Sequence, residues 1–114
     1  MKKFLTLAIC AALSLIGTAP ASAQKSFYEG KTMRFVVGFP AGGGYDLYTR
    51  TIARHMGKHI PGHPTIAVEN MSGAGSMISA NHIFKVAKAD GLVVGHFIGG
   101  LFLQQILGKP GIEF

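Results

Sequence analysis

Two stretches of small residues in this chain could do chemistry. Pro40-Ala41-Gly42-Gly43-Gly44-Tyr45-Asp46 follows the apolar run Phe35 to Phe39, and Met71-Ser72-Gly73-Ala74-Gly75-Ser76 follows the β-branched run Thr65 to Asn70. Glycine has no Cβ, so backbone can approach a ligand closely. Each stretch leads into a segment with helical spacing of apolar residues. The first N–H groups of a helix lack internal partners and carry partial positive charge. Such a junction suits a small anion, and we read the first as a carboxylate-binding loop. A tight turn with no ligand is the competing reading for either loop alone.

Other chemistry lacks its parts. No Gly-Lys-Ser/Thr follows Gly42-Gly43-Gly44, so it is not a P-loop. Gly73-Ala74-Gly75 opens the dinucleotide spacing, but its sixth position is Ile78 and no well-placed acid follows. Ser72 and Ser76 lack the Gly-x-Ser-x-Gly context of a hydrolase nucleophile, which leaves them ligand hydrogen bonding or helix capping. His55 and His59 have zinc-like spacing, but Arg50, Arg54 and Lys58 surround them and would repel a cation. His82 and His96 stand isolated and receive no role. Asp46 has a competing structural use, since an aspartate at a helix start accepts backbone N–H bonds. No catalytic residue, metal site or cofactor is expected, and the chain does not read as an enzyme.

These loops need a sheet to position them. Met33 to Phe39, Thr65 to Asn70 and Leu92 to Ile98 read as strands, the first covered on both faces. Leu47, Ile52, Ala53, Met56 and Ile60 give one helix, and Met77, Ile78, Ala80, Ile83, Phe84 and Ala87 a second. Leu101 to Leu107 forms a short third. The order is β-α-β-α-β with short connections, an α/β core with parallel strands and right-handed crossovers. Ligands in such sheets sit beyond the carboxyl ends of the strands, where both loops leave.

Composition bounds the rest. A chain of 114 residues, 48% hydrophobic and with 16 glycines, allows one small globular domain. Lys2-Lys3, the apolar run Phe4 to Ile16, and Ala21-Ser22-Ala23 make residues 1–23 a cleavable signal peptide, too short an apolar run to span a membrane. Residues 24–114 are then the mature chain, exported and free of cysteine once Cys10 is removed. The formal charge of +6 falls when Lys2 and Lys3 go, leaving nine scattered basic residues against five acidic. They form no block that could track a phosphate backbone, so nucleic acid is not an expected partner.

Three segments in order resemble a known family. Met33 to Asp46, Val68-Glu69-Asn70-Met71-Ser72-Gly73-Ala74-Gly75-Ser76 and Ala89-Asp90-Gly91-Leu92 are similar to the corresponding motifs of the tripartite tricarboxylate transporter substrate-binding receptors, the TctC-like or Bug proteins. The resemblance covers most of residues 27 to 100. It implies a periplasmic, monomeric solute receptor whose two α/β lobes close on a small carboxylate and deliver it to membrane permease subunits. It implies ligand contact at Ala41, Gly42, Gly43, Gly44 and Asp46, and at Gly73, Ala74, Gly75 and Ser76. Ser76 stands where the family has glycine, Leu92-Val93 where it has Tyr-Thr, and Met71 where a polar or basic residue is common.

Such receptors are longer than this chain, so residues 24–114 are expected to be an incomplete N-terminal lobe with an uncovered apolar face and a free sheet edge. Two helix starts offer an anion at most ~4 kcal/mol together, roughly millimolar affinity, and weak binding is therefore expected. The alternatives are a non-functional truncated remnant and, further off, a fragment of a phosphate- or nucleotide-binding enzyme.

Overall fold

A computed structural model describes residues 25–112. The expected signal peptide, residues 1–23, lies outside the described residues. The described chain runs β1 (Thr32–Val37), α1 (Gly44–Met56), a single 3-10 turn at Gly57–His59, β2 (Thr65–Asn70), a second 3-10 turn at Ala74–Ser76, α2 (Met77–Lys85), β3 (Val93–His96) and α3 (Gly100–Ile106). This is the α/β order that the sequence implies. The three strands form one parallel sheet with β1 in the centre, in the order β2-β1-β3. It is consistent with part of a periplasmic-binding-protein-like lobe.

β1 is central because it is the most apolar strand. Val36 and Val37 are fully buried, with Met33 and Phe35 close behind. Its one charge, Arg34, lies toward the open end and reaches across to Glu69 on β2 in a two-pronged ion pair of 2.6 and 2.9 Å. Arg34 holds the Glu69 carboxyl below the usual carboxylate range. Both side chains are half exposed, so solvent screens the pair and it adds little to stability. The register places Thr32 beside Thr65 and Val37 beside Asn70 on one side, and Arg34 beside Val93 and Val37 beside His96 on the other. All three strands therefore end together, and their following loops share one rim.

The two long helices cover opposite faces. A Cβ on Gly38 would meet Ser76 and Ser79, and one on Gly95 would meet Ile83, so Gly38 and Gly95 face α2. Residues an odd number of positions away point the other way. Phe35 and His96 accordingly border a groove with Tyr48, Thr49 and Ile52 of α1. The path of the chain brings α1 onto β1 and β2 and α2 onto β3.

Four expectations require correction. β1 begins one residue earlier and ends two earlier than Met33–Phe39, because Gly38 and Phe39 already belong to the turn, although Gly38 still donates to the His96 carbonyl at 2.9 Å. β3 is likewise shorter than Leu92–Ile98. α1 starts at Gly44 rather than Leu47, and its apolar series is not its buried side. Leu47 is 59% exposed, while Asp46 and Thr49 are buried and Ala53 is half-buried. The sheet-facing side of α1 is polar because it docks by hydrogen bonds at the strand ends. In α2, Ile78 and Phe84 also lie outward, leaving Ala80 and Ser79 at the close helix–sheet contact. The groove between α1 and edge strand β3 leaves Ile52 39% and Val94 38% exposed.

Candidate functional site

At the first corner the chain leaves β1, turns over Pro40 and Ala41, and enters α1 with Gly43 as an extended N-cap residue. Gly42 sits at φ +81°, a conformation that favours glycine. The Gly43 N–H closes back on the Pro40 carbonyl at 3.3 Å. Leu47 N–H makes the first bond of the helix ladder, to the Gly43 carbonyl at 2.9 Å. The N–H groups of Gly44, Tyr45 and Asp46 therefore stand ahead of that ladder.

Asp46 is the hinge pin of this corner. It is only 2% exposed, and its carboxylate accepts from three donor groups. The Gly42 N–H donates at 2.8 Å, Arg50 Nε lies 3.0 Å from both oxygens, and Asn70 Nδ2 donates at 2.8 Å. Asp46 lies in the first turn of α1 and reaches back to the loop, where an N-cap residue would precede the helix. The Arg50 guanidinium, then the Gly42 N–H and Asn70, hold its carboxyl far below the usual carboxylate range. Arg50, read from the sequence as part of a solvated basic helix end, is occupied by Asp46 and by Asn70 Oδ1 at 2.9 Å.

Asn70, the last residue of β2, completes the frame. Its amide donates to the Phe39 carbonyl at 3.0 Å as well as to Asp46. The start of the first loop, the start of α1 and the end of β2 are thus bonded through one amide side chain. The sequence did offer signals for this: Asp46 and Arg50 stand at the i,i+4 spacing of a helical ion pair, and Asn70 closes a strand.

The second corner has another construction. Gly73, Ala74, Gly75 and Ser76 all have positive φ, at +139°, +47°, +62° and +66°. For Ala74 and Ser76 this left-handed backbone costs roughly 1–2 kcal/mol each. Ser76 is wholly buried. Its hydroxyl donates to the Gly75 carbonyl at 2.6 Å and accepts from the Ile98 N–H at 3.0 Å. The hydroxyl thus joins the second corner to the third loop, where a glycine would leave the Ile98 N–H without this acceptor. Replacing Ser76 with alanine keeps the strained backbone but removes that acceptor. The expected loss is about 1–3 kcal/mol, measured by urea unfolding, with faster amide exchange at Ile98.

Among the sequence-derived residues, Ala41, Gly42, Gly43, Gly44, Ala74 and Gly75 are exposed on the shared rim, Gly73 is half-buried, and Asp46 and Ser76 are buried beneath it. The side-chain hydrogen bonds of Asp46 and Ser76 run to the protein itself. A third element, which the sequence reading left without a role, joins them. His96, at the end of β3, places Nδ1 2.6 Å from Thr49 Oγ1, which lies 2.8 Å from the Tyr45 carbonyl. Tyr45 stacks on Phe39 with centroids 4.1 Å apart and meets the His96 ring at 5.0 Å. Gly44, Tyr45, Tyr48 and His96 line an open cavity of about 290 Å3 beside the first corner.

Two small-residue corners and an aromatic depression thus stand together at the carboxyl ends of parallel strands. Among curated proteins, the chain is similar to the "UPF0065 protein in gbd 5'region" of Cupriavidus necator, 40% identical over 74 residues. That stretch is 63% of this chain and 22% of the relative, so the match spans about a fifth of the relative's length. UPF0065 is a name of the Bug/TctC family, and the similarity supports that family over this stretch. No family model matches the chain, and no solved structure does.

Proposed function

We propose that this chain is the first part of a periplasmic solute receptor of the Bug type, binding a small carboxylate at the rim formed by its two corners. The observation that carries the reading is that both corners leave adjacent parallel strands on one side of one sheet. Ala41, Gly42, Gly43 and Gly44 at one corner, and Gly73, Ala74 and Gly75 at the other, would supply the ligand-facing backbone. Asp46 and Ser76 would act from beneath by fixing the loops. The similarity to a UPF0065 protein supports a non-enzymatic binding role.

On this reading residues 1–23 direct export, residues 24–114 form an incomplete first lobe, and membrane permease subunits receive the ligand from a monomeric receptor. Helix starts alone offer an anion up to ~2 kcal/mol each in partly buried geometry, so without a second lobe the affinity is about millimolar. Titration of the 15N-labelled chain with succinate or benzoate should shift the amide signals of Ala41 to Tyr45 and Gly73 to Gly75, with saturation near millimolar ligand. Unmoved rim amides at tens of millimolar carboxylate would refute the reading and favour a remnant without function. Micromolar affinity would overturn the need for a second lobe.

A further inference from the structure

The cavity walled by Gly44, Tyr45, Tyr48 and His96 has a chemistry different from that of the corners. Two tyrosines and a histidine line it, and among the described residues neither lysine nor arginine does. The Arg50 guanidinium, on the same helix, is held by Asp46 and Asn70. A second carboxylate placed here would lose its water and gain no cation, a costly exchange. A planar ring would gain aromatic contacts instead.

The hydrogen count at Thr49 fixes what His96 offers. A threonine hydroxyl has one proton, and Thr49 Oγ1 lies within hydrogen-bond distance of both the Tyr45 carbonyl and His96 Nδ1. The carbonyl can only accept; with the hydroxyl proton directed there, His96 Nδ1–H donates to Thr49 Oγ1. In the neutral ring this leaves Nε2 as a bare acceptor, and no described residue satisfies it. Thr49 is buried, so the orientation of the ring is fixed from below.

We propose that the ligand is a ring-bearing carboxylate with a hydroxyl or amino group, its ring against Tyr45 and Tyr48 and its donor on His96 Nε2. The inference rests on the carboxylate-binding reading above, because Gly44, at the start of α1, is itself part of the cavity wall. The size agrees: about 290 Å3 accommodates one substituted six-membered ring, at the lower end of small-molecule pockets. His96 is then a specificity-determining residue, and di- and tricarboxylates are the wrong guests for this cavity.

The test is calorimetry or amide-shift titration of the full chain at pH 8 with benzoate, the three hydroxybenzoates, succinate and citrate. At least one hydroxybenzoate should bind about tenfold more tightly than benzoate, and benzoate more tightly than succinate. His96→Asn retains an N–H donor for Thr49 but drops the outward acceptor, and should close the margin between hydroxybenzoate and benzoate. Tyr48→Leu, on an exposed side chain, should weaken both benzoates relative to succinate and serves as a second variant should His96→Asn not fold. A margin that survives His96→Asn, or citrate binding above every benzoate, overturns the proposal. Succinate binding without ring-acid binding sinks this inference while leaving the carboxylate reading intact. If no carboxylate binds, both fall together.

Discussion

Replacing Asp46 with alanine is expected to collapse the first corner and lower the melting temperature by on the order of 10 °C. The side chain is almost wholly buried and receives the Gly42 N–H, Arg50 Nε and Asn70 Nδ2. Alanine would take the acceptor from the Gly42 N–H and Arg50 Nε, leaving Asn70 to the Phe39 carbonyl and Arg50 to Asn70 Oδ1 alone, and bonds to a charged group contribute more than neutral ones. Thermal unfolding followed by circular dichroism measures the loss. A substitution that leaves the melt unchanged would show that Arg50 and Asn70 find water without penalty.

Asp46 also gives an acid dependence whose direction is fixed. Its carboxyl in the folded chain is held far below the ordinary value, so the stabilisation is present above the ordinary carboxylate range, near pH 4. As pH falls below that range the unfolded chain takes up a proton that the folded chain refuses, and stability drops. Asp46→Asn cannot titrate, so its stability at pH 7 is lower but falls less on acidification to pH 3, by one proton's worth of slope. Parallel slopes for the two proteins would contradict the geometry.

The fold was legible in the sequence wherever a single principle dominated. The run Phe35 to Val37 is apolar on consecutive positions, which only a strand buried on both faces requires, and it is the central strand. The parallel order followed from helices between strands joined by short loops. What the sequence hid were positions where polar bonds overrule apolar spacing. Leu47, Ile52 and Met56 suggested a buried stripe for α1, yet the helix docks through Asp46 and Thr49 because its partners are strand-end groups, Asn70 and His96. Those partners are 24 and 47 residues away along the chain. No local pattern encodes such pairings. His96 illustrates the limit: alone in its segment it carries no motif, and only the 2-1-3 strand order brings it beside Thr49 and Tyr45.

Gly38 is the position at which a single methyl group should do most damage. It is the residue after β1, and its backbone is still bonded to β3 through the His96 carbonyl. A Cβ added there would lie 2.2 Å from Ser76 Cβ, 2.7 Å from Ser79 Oγ and 3.1 Å from Ser76 Cα. None of these atoms is the loose end of a flexible side chain. Ser76 is pinned by bonds to Gly75 and Ile98, and Ser79 Oγ donates to the Ser76 carbonyl at 2.8 Å. Relief therefore demands that α2 move off the sheet, and the expected cost of Gly38→Ala is about 3 kcal/mol or more. In a domain this small, that is a large share of the total stability. Urea unfolding should register it, or the variant should not fold cooperatively at all. The companion Ser76→Gly removes the 2.2 Å contact and the left-handed strain while forfeiting the bond to Ile98. The double variant should therefore recover part, though not all, of the loss, because Ser79 Oγ and Ser76 Cα remain close. Additive losses in the double variant would mean that Gly38 serves its turn rather than the approach of α2, and the second corner would not depend on the missing side chain of the first.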